Sequence, residues 1–336
     1  MILARHAEAL LWAGRYLERA ESTARCLNYA AKSVIELRDD EARAEGELLI
    51  RTLGLQNELA AAGPLLSRPQ LVAFLLSDRD NPGSLVSAVC AVRENLRTVR
   101  DRIPIELWEE VNGLYLKFPF LGHESEISGL HEVLLTVRTA CLAVSGVMNE
   151  GMRRDEGHAL MVVGRMLERS IFTVGLLEAT CSDPRGRADA TRMLRLTSSL
   201  QAFHRRHSNA PEYDSVTRYL LHAAELPRSL LSSLTAAEQS LSKLGSPGSL
   251  LEQSRRRAGL LRARLELGQV EQEMESAPAA MLTSLAGELA DLADEVCSGI
   301  VPPLAIATVH SQFVRPGADS DPDGDGEFAA AGGVVP

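Results

Sequence analysis

Aromatic side chains are scarce in this sequence: Phe, Trp and Tyr together account for 4% of it. Sheets favour aromatic and β-branched residues, whereas Leu, Ala, Glu and Arg, which recur throughout, favour packed helices. Cysteine is sparse as well. Cys26, Cys90, Cys141, Cys181 and Cys297 never come at C-x-x-C spacing, which argues against a zinc knuckle or a dithiol redox pair. Each lies in an apolar helical stretch, where a thiol acts as a small hydrophobe, and the expected location is the reducing cytoplasm. Long hydrophobic runs are missing too. Glu8 and Arg15 interrupt the N-terminal stretch before it reaches signal-peptide length, and no later segment is expected to approach the length and composition of a membrane span.

The usual signatures of chemistry are also absent. Neither Gly-x-x-x-x-Gly-Lys-Ser/Thr nor Gly-x-Gly-x-x-Gly occurs, so no phosphate cradle and no cofactor are expected, and any ATP would belong to a partner. The eight histidines follow no local pattern that would position a nucleophile. His204-x-x-His207 has helical metal spacing, but Arg205 and Arg206 between them favour a solvated face. The Glu-x-x-His pairs of di-iron bundles are lacking, and no metal is expected. The net charge is -10, with basic residues interleaved among acids, so nucleic acid is not an expected partner.

What the chain does have is helical periodicity. From Ala4 to about Leu37, Leu10, Ala13, Leu17, Ala20, Ala24, Leu27, Ala31 and Val34 recur three or four positions apart, one inward stripe on a long helix. Further helices are predicted at roughly 41–62, 68–77, 82–102, 104–117, 125–151, 156–181, 187–207, 212–223, 227–244, 247–273 and 278–298. Asn81-Pro82 and Ser246-Pro247 offer a cap before a first-turn proline, and Pro104 and Pro227 suit helix starts. The fold expected is all-α, an elongated bundle. Beyond Arg315 the sequence turns to Gly, Asp, Ala and Pro, and residues 313–336 read as a disordered acidic tail. Asp321-Pro-Asp323-Gly-Asp325-Gly326 resembles the opening of a calcium loop, but position twelve is Gly332 where a bidentate Glu is required.

The most specific feature is internal. Gly14-Arg15-Tyr16-Leu17-Glu18-Arg19-Ala20 returns as Gly164-Arg165-Met166-Leu167-Glu168-Arg169-Ser170, 150 residues later. Phe74-Leu75-Leu76 with Pro82-Gly83-Ser84-Leu85 is echoed, in the same order, by Tyr219-Leu220-Leu221 with Pro227-Arg228-Ser229-Leu230. Two motifs in register argue for duplication, with one helical unit at 1–150 and a second at 151–312 sharing its core. On a helix, Arg15, Glu18 and Arg19 border the apolar stripe, as do Arg165, Glu168 and Arg169. Gly14 and Gly164 would let another helix approach closely, at a propensity cost of about 1 kcal/mol each. Two readings of the charges stay open: a semi-buried ion network joining the units, or arginine forks lining a groove that holds a carboxylate or phosphate. Arg93-Glu94-Asn95 and Arg153-Arg154-Asp155-Glu156, taken alone, read as solvated surface.

These residues resemble the alpha-E domain family of bacteria, an all-helical fold with a recurrent Glu-Arg motif. The likeness covers nearly the whole chain up to the acidic tail, and its opening places Trp12, Arg15, Glu18, Arg19 and Glu21 where the family has them. Family-like blocks follow at Phe74 to Ser84, Arg93-Glu94-Asn95, Leu107-Trp108-Glu109, Arg154-Asp155-Glu156-Gly157 and Gly164 to Arg169. The resemblance draws Arg93, Glu94, Arg154, Asp155 and Glu156 toward the same network as the repeated motif. The second half departs from the first at Ala223-Ala224-Glu225-Leu226 and at Gln239, which stands opposite Glu94. Family members resemble companions of circularly permuted ATP-grasp ligases and transglutaminase-like proteins. The resemblance therefore implies a non-catalytic accessory or scaffold that binds such a ligase, or its peptide substrate, through a Glu/Arg-lined groove. The alternative is an enzyme using that groove for acid/base chemistry on an amide or phosphorylated peptide.

Overall fold

A computed structural model describes residues 2–33, 39–63, 67–121, 127–183, 187 and 189–300. The expected tail at 313–336 and its calcium-like loop lie outside the described residues. Among those described, every regular element is helical, as the composition implied. In chain order they are α1 (Ala4–Ser33), α2 (Asp39–Leu53), α3 (Gln56–Ala62), α4 (Arg68–Leu76), α5 (Leu85–Thr98), a 3₁₀ turn (Arg100–Arg102), α6 (Ile105–Leu121) and α7 (Ile127–Glu150). Then come α8 (Glu156–Cys181), α9 (Ala190–Leu196), α10 (Leu200–Arg206), α11 (Tyr213–His222), α12 (Leu230–Leu241), α13 (Leu250–Glu266), α14 (Gln269–Ser276) and α15 (Pro278–Ile300).

Three helices start later than their prolines suggested, for one shared reason. At Asn81-Pro82-Gly83-Ser84, Leu226-Pro227-Arg228-Ser229 and Ser246-Pro247-Gly248-Ser249 the amide of the serine bonds the carbonyl three residues back, closing a turn around the proline. The serine is then the cap: Ser84, Ser229 and Ser249 accept from the amides of Ser87, Ser232 and Glu252 at 3.2, 3.0 and 3.2 Å. Asn81, expected as a cap, instead donates to the Phe74 carbonyl at the end of α4 (2.9 Å). Three long predicted helices are divided. Gly54 (φ 69°) separates α2 from α3, Ser198 (φ 54°) lies between α9 and α10, and Gly268 (φ 73°) parts α13 from α14. Each takes the left-handed conformation that an α-helix cannot continue through.

At the centre, α1 and α8 pack against each other, and each gathers further helices: α5 and α7 on α1, and α12, α15 and α2 on α8. Contacts run in the same order along both central helices, from Gly14 against Met161 to Arg25 over Phe172, so they point the same way. Their closest approach is at the two glycines. A Cβ on Gly14 would collide with the Met161 carbonyl, and one on Gly164 with the Leu11 carbonyl. Only glycine permits backbones this close. Nearly all of α8 is buried, including Met161, Val163, Leu167, Val174, Leu176 and Leu177.

One expectation needs correction. The segment Gly129–Glu150 of α7 is, by length and composition, apolar enough to cross a membrane (mean hydropathy 1.4). In the fold α7 packs on α1 and α6, with Val133, Leu134, Val137, Cys141, Val144 and Met148 buried and Leu135 and Leu142 exposed.

A crossed glutamate–arginine seam between the central helices

The repeated motif meets itself. Because α1 and α8 run side by side from their glycine crossing, each glutamate lies within reach of the other helix's arginines. Glu18 accepts from Arg169 through both oxygens, Nε at 2.9 Å and Nη2 at 2.7 Å, and from Arg165 Nη2 at 3.3 Å. In return Glu168 accepts from Arg15 Nε at 3.0 Å and Arg19 Nε at 2.6 Å. The arrangement is reciprocal, and the Arg169 fork on Glu18 is bidentate. Glu18 is wholly buried, and Glu168, Arg165 and Arg169 are each 8% exposed.

Two further arginines join the Glu18 side. Arg228, from the turn that precedes α12, donates Nη1 to Glu18 (3.1 Å) and Nη2 to Glu21. Arg25 donates Nη1 to Glu21 (2.6 Å), Nη2 to Ser22 (2.9 Å) and Nε to the Leu196 carbonyl that ends α9 (2.8 Å). Neither is among the expected site residues. Arg25 could have been found, since it lies four residues after Glu21 on the same helix face. Arg228 could not, because its place depends on how the Pro227 turn folds onto α8, where Arg169 Nη1 bonds the Pro227 carbonyl (3.1 Å).

Burial alone would raise the Glu18 pKa, but Arg169, Arg228 and Arg165 overcome it and hold the carboxyl well below the usual range. Arg19 and Arg15 do the same, less strongly, for Glu168. Burial, with Arg228 nearby, brings Arg25 down to about 10, and burial also lowers Arg165. These fields keep the Glu18 and Glu168 carboxylates ionised near neutrality.

Its accessible edge lies along α1. Trp12, Arg15, Tyr16 and Arg19 are half-buried, the two rings stack with centroids 5.4 Å apart, and Arg15 and Arg19 lie over Trp12 and Tyr16 at 4.7 and 5.3 Å. Trp108 is buried in the core, whereas Trp12 is part of this edge.

Five of the expected site residues lie elsewhere. Arg93 on α5 donates to Asn112 (2.9 Å) and Glu94 (2.6 Å) and stacks on Tyr115 at 4.4 Å. Asp155 caps α8 by accepting from the amides of Gly157 and His158, Arg154 bonds the Asn149 carbonyl, and Glu156 accepts from the Ile2 amide. These are helix-end and surface roles, and the structure does not bring them into the seam. His204, Arg205 and Arg206 are exposed as expected, and His207 is half-buried with its ring stacked on Phe203 at 4.2 Å.

Fold and seam together define a class: an all-helical protein whose two central helices each carry a Glu-Arg motif that pairs with the other. A family model described as a predicted alpha-helical domain with a conserved ER motif matches residues 2–298, and the chain belongs to this Alpha-E family. Its relatives include an uncharacterized protein of Mycobacterium bovis, 30% identical over 266 residues, the match covering 71% of this chain and 30% of the relative. An uncharacterized protein of Mycobacterium tuberculosis strain H37Rv is 29% identical over the same length, with the same coverage. The chain thus spans 30% of the length of the curated relatives it matches. No solved structure matches it.

Proposed function

We propose that this protein is a non-catalytic helical scaffold, built from two copies of one helical unit, that works with an ATP-grasp-type peptide or amide ligase in the cytoplasm. The observation that carries the non-catalytic part is the state of the seam. The Glu18 and Glu168 carboxylates are paired with guanidiniums of the same chain and held ionised, so neither is a proton donor near neutrality and each is a weak base, which speaks against the acid/base alternative. The duplication is supported by the crossed pairing and by a matched pair of turn contacts. Thr23 Oγ1 donates to the Gly83 carbonyl (3.5 Å) as Thr173 Oγ1 does to the Arg228 carbonyl (3.3 Å). Five unpaired cysteines accord with a reducing compartment.

The ligase itself, and a transglutaminase-like companion, come from the family resemblance. The half-buried edge of Trp12, Arg15, Tyr16 and Arg19 supplies a surface of the right kind for a partner or its peptide, since aromatic and arginine side chains dominate binding hot spots. The test is co-purification with an ATP-grasp-type ligase from the same genome, with and without ATP and peptide. Association is expected and should weaken in Trp12→Ala while the fold is kept. Absence of association under all conditions would overturn the reading, and product formation by the isolated chain that is lost in Glu168→Gln would favour an enzyme.

A further inference from the structure

The two ends of the seam are not electrically equivalent. Around Glu168 the account balances: Arg15 and Arg19 face Glu168 and, beside Arg19, Glu58. Around Glu18 it does not. Arg25, Arg165, Arg169 and Arg228 pair with Glu18 and Glu21, and the charges that act most strongly on Arg165 belong to this set. The surplus arises from Arg25 and Arg228, whose counterparts at the matching places of the other half are Gly175 and Gly83. Two uncompensated guanidiniums in a largely buried setting are costly unless a counter-charge is present.

The hydrogen bonds point to where that counter-charge belongs. Arg25 and Arg169 use all three of their nitrogens on protein acceptors. Arg165 does not. Its single hydrogen bond to Glu18 is 3.3 Å long, Glu21 Oε2 stands 3.9 Å from its Nη2, and its Nε, in a residue only 8% exposed, has no hydrogen-bond partner. Arg228, bound to the other oxygen of Glu18, is 16% exposed and gives this group its outlet to solvent.

We propose that the Glu18 end of the seam is an anion site, in which one carboxylate or small oxyanion pairs with Arg165 and enters past Arg228. This deepens the scaffold reading, on which it rests for the origin of the ligand: an acidic peptide would bring the carboxylate, whereas inorganic phosphate would be a free ion. Guanidiniums suit both, because their planar donors match either oxyanion.

The experiment is a thermal-unfolding titration of the whole chain at fixed ionic strength, with inorganic phosphate in one arm and a tetraglutamate peptide in the other, and tetralysine as control. A saturable rise in Tm is expected with at least one anion. Arg228→Gln, which removes one surplus charge while Arg165 and Arg169 still satisfy Glu18, should stay folded by circular dichroism and need at least tenfold more anion for the same rise. A response to tetraglutamate alone assigns the site to a peptide carboxylate, and to phosphate alone assigns it to a free ion. No saturable rise in either arm, or an unchanged response in Arg228→Gln, would overturn the proposal. Because ligase association is measured separately, that failure would leave the scaffold reading standing.

Discussion

Glu18 is the residue on which the seam turns. It is fully buried and answers three arginines, so Glu18→Gln would leave their charges facing a neutral amide. Removing one partner of a buried ion network costs about 3–5 kcal/mol, and that loss is expected in a urea denaturation comparison with wild type. Glu168→Gln should cost less, because Arg19 retains 25% of its side-chain exposure and can turn to water. The pH dependence follows from the same pairing. Both glutamates have folded pKa values below the ordinary 4.5. Their contribution is therefore complete above that value and is lost as the pH falls from it toward the folded pKa values, because the unfolded state takes up protons that the folded state does not. An acid titration of stability should show wild type losing more than Glu18→Gln between pH 5 and the acid transition; equal slopes would contradict the assignment.

At the scale of elements, the crossing of α1 and α8 sets everything that the side chains do. Each glycine faces a main-chain carbonyl of the other helix, and a backbone cannot step aside as a flexible side chain can. Gly164→Ala gains up to about 1 kcal/mol of helix propensity but forces the helices apart, and overpacking of this kind costs about 1–3 kcal/mol. A net loss of stability is expected, and in Gly14→Ala as well, whereas Gly146→Ala on α7, where a Cβ meets nothing, should be neutral or stabilising. Much of this level could be read from the sequence. The span of α8 agrees with the one expected from its apolar period, and the structure adds that Asp155 caps it. α5, α12 and α13 begin three residues beyond the prolines expected to open them, because each proline is the corner of the turn before the serine cap and not the first helical residue.

At the scale of the molecule, residues 2–300 fall within one compact unit, and the two central helices are shared by both halves. Such a core should unfold in a single step. Trp12 and Trp108 both lie in the first half, whereas backbone circular dichroism reports on the whole chain. The two signals are therefore expected to give coincident urea transitions. A fluorescence transition that runs ahead of the circular dichroism would mean that the halves unfold independently.

The sequence by itself determined the helical class, the repeated Glu-Arg motif and the glycines that let two helices touch, because periodicity, propensity and spacing are local properties. It could not determine that each glutamate would take its arginines from the other helix, that Arg25 and Arg228 would join only the Glu18 end, or that Arg93 and Asp155 would stay apart. Those outcomes depend on where helices some 150 positions apart cross and on how one proline turn lies across α8. Coulombic fields act through space, so the charge surplus exists only once the chain is folded.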